Sequence, residues 1–415
     1  MNYSDSERIA SVLENIGYQP SSNQNEADLI VVNACSVRQS AIDRIFGITT
    51  KFGSLRRKNK KLKTILTGCV LPTDKKKLSE KFDLFLDIKD LPKLPQMLNA
   101  ECKIGRKKRY LEIKPLYQSP FSANLPIMTG CNNFCSYCAV PYTRGKEISR
   151  PAEDIICEIK NLIKRDYKEI WLLGQNVNSY KNGKINFPKL LKMVNNTPGN
   201  FWIRFTSSHP KDFSDELIEI MAKCKKITPY LNLPVQSGDN EILKKMNRPY
   251  AVKHYKNLIK KIRVAFTKNR EGLEQNLSIS TDVIVGFPGE TKEQFKNTAK
   301  LFNEIKYDMA YISQYSPRPG TTAAKVKNNV SKKEKIRRWK IINNILKRTA
   351  MENNKKYIGK ETEVLIDNQK RGFLTGKNRQ YKTVKIKAED NNLIGKFIKV
   401  KITNALPWGL NGELL

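Results

Sequence analysis

Apolar residues recur every three or four positions in some stretches of the chain and form short continuous runs in others. These two patterns predict helices and buried strands in turn. Residues 1–103 open on Ser4-x-x-Glu7, a capping-box pattern, followed by Ile9, Val12 and Leu13 at helical spacing. LIVVN (29–33) predicts a buried strand ending at Cys35, and TILTG (64–68) a second ending at Cys69, with a helix over 36–52 between them. This is the pattern of a small α/β domain with a parallel sheet. It opens directly on a helix, with no strand before it. Residues 104–120 are basic and irregular and read as a linker.

Over residues 121–350 one unit repeats: an apolar strand, a Gly/polar cluster, then an amphipathic helix. The clusters are TGCNNFCSYC after LPIM, GQN after EIWLL, SSHP after FWIRFT, QSG after YLNLPV, GFPGE after STDVIV and YSPRPGT after MAYISQ. Parallel β/α barrels build their sites from such strand-to-helix loops. Six repeats predict a partial (β/α)6 barrel, open on one side and able to admit a large substrate. Ser331-x-x-Glu334 starts a closing helix, with Ile336, Trp339, Ile342 and Leu346 as its inward stripe. Over 355–415 the rhythm changes to short alternating segments: ETEVLI, GFLTGK, KTVKIKA and FIKVKIT. These predict a small antiparallel β-barrel with lysines on its outward positions.

Charge adds a partner. Lys and Arg number 76 against 40 Asp and Glu among 415 residues, a formal +36. That sign favours a polyanion, nucleic acid first. Lys, Asn and Ile are abundant together, so part of the charge is compositional background. No apolar run approaches the ~20 residues of a spanning helix, and the opening residues do not read as a signal peptide. A cytoplasmic protein without a membrane partner is the expectation. Three of the eight cysteines fall within eight residues, which suits a metal or cluster site and not a secreted disulfide framework.

Those three are Cys131, Cys135 and Cys138, spaced C-x3-C-x2-C in the loop after the first barrel strand. A structural zinc needs four ligands, and zinc ribbons add a second C-x2-C or a histidine pair. Neither is present, and the chain has only two histidines, His209 and His254. Three thiols without a fourth, in the first loop of a β/α barrel, resemble the radical S-adenosylmethionine (SAM) superfamily. That resemblance implies a [4Fe–4S] cluster held by Cys131, Cys135 and Cys138, with one iron open to SAM. The cofactor then carries the radical chemistry, and the protein orients it and excludes water. It also implies that Tyr137 lies near the adenine, and that Gly174, Gln175 and Asn176 grip the amino-acid end of SAM. The bland alternative for GQN is a plain strand-end turn.

CNNFCSYCAVPYTRGKEISRP (131–151), WLLGQNVNSY (171–180), FTSSHP (205–210), LPVQSGDNEILKKMNR (233–248), DVIVGFPGET (282–291) and YSPRPGT (315–321) resemble the methylthiotransferases over nearly the whole chain. VPYTRG, GQNVNSY and SSHP resemble most the MiaB-type branch. Residues 355–415 resemble a TRAM domain, an RNA-binding module. The resemblance implies transfer of a methylthio group to C2 of N6-isopentenyladenosine beside the tRNA anticodon, with two SAM per turnover. It implies tRNA as partner, a low-potential electron donor such as flavodoxin, and a second, auxiliary [4Fe–4S] cluster. Cys35 and Cys69 match two of that cluster's cysteines. The first, in a GCQMN-like run, has no counterpart, because the chain begins MNYSDSER just after that point. The expectation is a true start upstream of Met1; the alternative is loss of the auxiliary site.

Other residues carry plainer expectations. Cys102, Cys157 and Cys224 read as structural or incidental, with Cys157 packing as a small hydrophobe. His209 either touches substrate or orients its loop, His254 lies on a helix surface, and Arg318 faces substrate or an anion. Two other functions stay open. One is methylthiotransfer to threonylcarbamoyl-adenosine or to a ribosomal protein. The other is non-catalytic RNA binding.

Overall fold

The computed structural model describes residues 1–35, 39–100 and 109–415. The chain divides into two compact units. The first comprises Met1–Gln118, Met128–Ile148 and Ser316–Val326; the second comprises Ser119–Ile127, Ser149–Tyr315 and Lys327–Leu415.

In the first unit, α1 (Asn2–Glu14), β1 (Leu29–Cys35), α2 (Gln39–Thr49), β2 (Lys63–Cys69) and β3 (Leu84–Phe85) surround a parallel sheet of order β1-β2-β3. Ile65 and Leu66 are consecutive on β2 and fully buried on opposite faces, as a strand's two-residue period requires. Ile65 joins Ile9 and Val12 of α1, and Leu66 joins Ile42 and Ile45 of α2. Burying each such side chain contributes about 1.5–3 kcal/mol. Three expectations change. Ser4 is no cap: α1 starts at Asn2 without a side-chain cap, and the buried Ser4 hydroxyl accepts from Arg8 at 2.5 Å. The helix expected over 36–52 is Gln39–Thr49, followed by a separate one over Phe52–Lys58; residues 36–38 lie outside the described residues. The two-residue β3 was too short to read from sequence.

The second unit carries β4 (Ser122–Pro126), β5 (Glu169–Leu173), β6 (Trp202–Phe205), β7 (Tyr230–Asn232), β8 (Ser278–Val285) and β9 (Met309–Gln314). They form two parallel three-stranded sheets, β4-β5-β6 and β7-β8-β9. A parallel bridge between Ile203 and Ile227 joins them. The first strand begins earlier than LPIM, at Ser122. The intervening helices pack outside through apolar stripes; Thr291, for example, closes a reciprocal capping box with Gln294. The helix over Lys332–Lys355 has Ser331 as its N-cap and buries Ile342 and Leu346. Ile336, expected inward, is 38% exposed, while Trp339 donates to the Ile312 carbonyl at 3.1 Å.

The C-terminal barrel closes through β10 (Glu361–Lys370), β11 (Phe373–Asn378), β12 (Thr383–Lys387), β13 (Phe397–Leu406) and β14 (Gly409–Leu414). Four ladders are antiparallel, and β12–β14 is parallel. Val364, Leu374, Val384, Ile386 and Val400 fill it, while Lys385, Lys387, Lys399 and Lys401 alternate outward. Arg204 fastens this barrel to the β/α strands. Its guanidinium pairs with Glu169 at 2.5 Å and donates to Thr228 at 3.1 Å and to the Asn378 and Arg379 carbonyls at 2.8 Å.

Candidate active site

The three-cysteine loop lies in the first unit. Gly130 opens it at φ +78°, and a Cβ there would stand 2.0 Å from the Lys146 carbonyl oxygen. Only glycine allows so close a return of the chain. The return is pinned by Cys131 N–H donating to Gly145 O at 3.2 Å and Glu147 N–H donating to Asn132 Oδ1 at 3.1 Å. A one-turn helix, α3 (Val140–Arg144), follows the cysteines with Pro141 in its first turn. Cys131 and Cys135 are buried and Cys138 is half-buried. The Asn133 N–H donates to Cys131 Sγ at 3.4 Å and the Val140 N–H to Cys138 Sγ at 3.5 Å. Such donors favour thiolate sulfur, so the donor set fits a cluster held through three thiolates. Among the described residues, no three Cys, His, Asp or Glu side chains are drawn close enough to hold a single metal ion. Tyr137 is half-buried in the same loop.

Cys35 and Cys69 are register partners at the ends of β1 and β2. Gly68, at φ +94°, allows the close approach: a Cβ there would meet Ala34 O at 2.4 Å. Sequence reasoning missed the residue that reaches this pair. Arg144, the last residue of α3, donates its Nε–H to Cys69 Sγ at 3.0 Å and forms an ion pair with Asp5. Both members of that pair are buried, and the Tyr110 hydroxyl also donates to Asp5. Burial pushes the Cys69 thiol up, and Arg144 draws it back. Burial also pushes Cys131 up. The only signal available was the arginine in VPYTRG, a few residues past the cysteines. Arg318, expected to face substrate or an anion, is buried against Asp74 and Gln39 in this unit.

In the second unit the loops after β5 and β6 carry the other expected residues. Gly174 and Asn176 are buried and Gln175 is half-buried. Asn176 Nδ2 donates to Asp212 at 2.7 Å, and Asn178 Nδ2 to His209 O at 3.4 Å. Five buried atoms there have no hydrogen-bond partner among the described residues: Gln175 Oε1, Asn176 Oδ1, Asn178 Oδ1, Ser208 Oγ and His209 Nε2. Each would cost about 1–3 kcal/mol if left unsatisfied. Five in two adjacent loops fit a polar ligand such as the amino-acid end of SAM. His209 also orients its loop, accepting from the Lys211 N–H at 3.2 Å. Burial, with repulsion from Arg248 and Lys211, pushes its imidazole down to about 2. His254 is exposed on its helix. Cys157, expected to pack inward, is exposed, because Ile155 and Ile159 take the buried face of its helix. Cys224 is half-buried, and Cys102 lies outside the described residues.

The profile of the Radical SAM superfamily matches residues 125–302, that of the uncharacterized protein family UPF0004 residues 1–87, and that of the TRAM domain residues 355–415. The chain is 40% identical, over all its length and 97% of the relative's, to tRNA-2-methylthio-N(6)-dimethylallyladenosine synthase of Carboxydothermus hydrogenoformans. The enzymes of that name from Clostridium novyi and Dictyoglomus thermophilum are also 40% identical over the whole chain, covering 94% and 96% of their lengths. The chain belongs to the radical SAM methylthiotransferases. The family expected from the sequence motifs is therefore borne out. In this methylthiotransferase, the three-cysteine loop and the GQN loop both fall within the superfamily match, and Cys35 and Cys69 within the UPF0004 match. Among solved structures, the radical SAM methyltransferase TsrM from Kitasatospora setae aligns with a TM-score of 0.54 at 13% identity, covering 77% of this chain and 73% of its own. At that identity the likeness concerns fold alone. Among the described residues, no helix is long and apolar enough to cross a membrane.

Proposed function

We propose that this methylthiotransferase acts on tRNA, adding a methylthio group to C2 of N6-isopentenyladenosine beside the anticodon and using two SAM per turnover. The observation that carries this reading is the whole-chain identity of 40% to relatives named for that reaction. Cys131, Cys135 and Cys138 would hold the [4Fe–4S] cluster. Gly174, Gln175 and Asn176 would hold the amino-acid end of SAM, and Tyr137 would lie near its adenine. Cys35 and Cys69 would give two thiolates to an auxiliary cluster. When bound, these groups supply an electron, a methyl group and a hydrogen-abstracting radical.

The chain's own residues bind, orient and exclude water. The unpartnered amide, hydroxyl and imidazole atoms of 175–178 and 208–209 would fix a polar ligand without reorganising. His209 stays neutral at working pH, so its Nε2 serves as an uncharged hydrogen-bonding group. The outward lysines of the C-terminal barrel suit the RNA backbone and would make binding salt-sensitive. A target base beside the anticodon is unpaired and can be extruded from the loop. The setting would be cytoplasmic, with a low-potential donor such as flavodoxin supplying electrons.

Nucleoside mass spectrometry of tRNA from a strain lacking the gene tests the reading. The expected result is loss of the methylthio-isopentenyl nucleoside and accumulation of isopentenyladenosine. Loss of a methylthio-threonylcarbamoyl nucleoside instead, or no change, would overturn it.

A further inference from the structure

Within the second unit, the inward positions of the β/α strands line a cavity of about 440 Å³, a size ordinary for small-ligand sites. One wall follows the two-residue period of its strands: Ser122 and Asn124 on β4, then Glu169, Trp171 and Leu173 on β5. Tyr230 and Tyr311 add aromatic faces, and Tyr311 is 47% exposed at the mouth. The opposite wall comes from the C-terminal barrel: Asp367, Lys377 and Tyr381.

Two of these residues, Asp367 and Tyr381, are set by unusual backbone, while Lys377 lies in regular ladder register. Asp367 sits in the β-bulge where the β10–β11 register shifts between Ile366 and Asn368, and bulges re-aim side chains. Tyr381 adopts φ +63°, rare for an aromatic residue. It is held there by Trp171 at 5.1 Å, Tyr230 at 4.8 Å and the Arg204 guanidinium at 5.1 Å. Glu169 is already engaged by Arg204, Ser122 and Trp171. Asp367 and Lys377 have spare capacity. The Asp367 carboxylate accepts from Thr375 at 3.2 Å and the Lys377 amine donates to Thr383 at 2.5 Å, and each can make further bonds. Burial pushes the Asp367 carboxyl up and the Lys377 amine down, so both gain from a polar ligand.

Two carboxylates face one ammonium across this space, which disfavours a phosphate. Aromatic faces with an acceptor and a donor at the edge favour a flat, uncharged heterocycle. We infer that this cavity receives an extruded nucleobase of the RNA substrate, stacked on its aromatic wall and read at its edge by Asp367 and Lys377 of the C-terminal barrel. That makes the small barrel part of the substrate chamber as well as a grip on RNA backbone. The inference rests on the RNA-directed function proposed above.

Its test needs no cluster chemistry. A stem-loop RNA carrying 2-aminopurine at the position to be modified is titrated into the full chain, beside an abasic RNA of the same sequence. The wild type should change the 2-aminopurine fluorescence and bind the abasic RNA more weakly. Lys377→Met, Asp367→Asn and Tyr311→Ala should each weaken binding of the base-containing RNA by roughly tenfold and leave the abasic RNA unaffected. Tyr311→Ala, at the exposed mouth, covers the case in which a buried substitution fails to fold. Wild-type affinity of folded variants for both RNAs would overturn the inference. Nucleoside analysis of the gene-deletion strain decides the proposed function separately, so the two can fail independently.

Discussion

Two buried arginines show how differently one side chain can be used in this protein. Arg204, in the second unit, is fully enclosed, and all its donor nitrogens are engaged by Glu169, Thr228 and two carbonyls of the C-terminal barrel. Trp171, Trp202 and Tyr381 face its guanidinium. Arg144, in the first unit, also has a buried side chain but pairs with Asp5 and a cysteine sulfur, and its Nη1 has no hydrogen-bond partner among the described residues. A buried charge with every bond satisfied fastens a structure; one beside a thiol with a donor unused marks a site. The unpartnered atoms of the GQN and SSHP loops belong to the second kind.

The largest expected effect breaks the fastener. Arg204→Met leaves Glu169 buried without its cation and should cost about 3–5 kcal/mol, read as urea unfolding of the full chain. A cost under about 1 kcal/mol would remove Arg204 from the fastening role.

His209 should contribute the next effect through pH. Its folded-state value, about 2, lies below the ordinary imidazole value near 6.5. As pH falls below about 6.5 the unfolded chain takes up a proton that the folded chain refuses, so stability falls. Between pH 7 and pH 5 the loss from this residue should be about 2 kcal/mol, and His209→Asn should remove that part. An equally steep acid loss in the variant would show the imidazole to be unperturbed.

Arg144→Lys sharpens the contrast. A lysine keeps a charge for Asp5 but cannot fork to Cys69 as well. It should cost about 1–2 kcal/mol and lower the rate at which iodoacetamide alkylates Cys69 in cluster-free protein, because the thiolate loses the donor that stabilises it; peptide mass spectrometry follows the reaction. Unchanged alkylation would mean that Arg144 does not stabilise the Cys69 thiolate. The smallest stability effect belongs to the surface. Replacing Lys385, Lys399 and Lys401 with glutamine should move stability by no more than about 0.5 kcal/mol. It should also weaken RNA binding and flatten its salt dependence, by about 0.7–0.9 in log–log slope for each phosphate no longer neutralised.

Strand-to-loop rhythm and cysteine spacing were legible in the sequence because both are local. The six barrel strands, the helix stripes and the C-terminal barrel's alternation follow from which positions must be buried. Cys35 and Cys69 both read as strand ends of one parallel sheet, and the register sets them side by side. What escaped is non-local or depends on choosing between faces. Arg144 meets Cys69 75 residues away in sequence. Cys157 and Ile336 were assigned to buried faces that neighbouring residues of their helices occupy instead. Ser4 matched a capping pattern, but the helix begins two residues earlier, so its hydroxyl turns to Arg8. The Tyr381 backbone at φ +63° rests on aromatic contacts contributed by distant strands.

The most direct test is an iron count on anaerobically reconstituted protein, comparing the wild type with Cys131→Ala, Cys135→Ala and Cys138→Ala combined. The expected result is that the triple variant binds about four fewer irons and no longer cleaves SAM. An unchanged iron content would contradict the assignment of the three-cysteine loop as the cluster site.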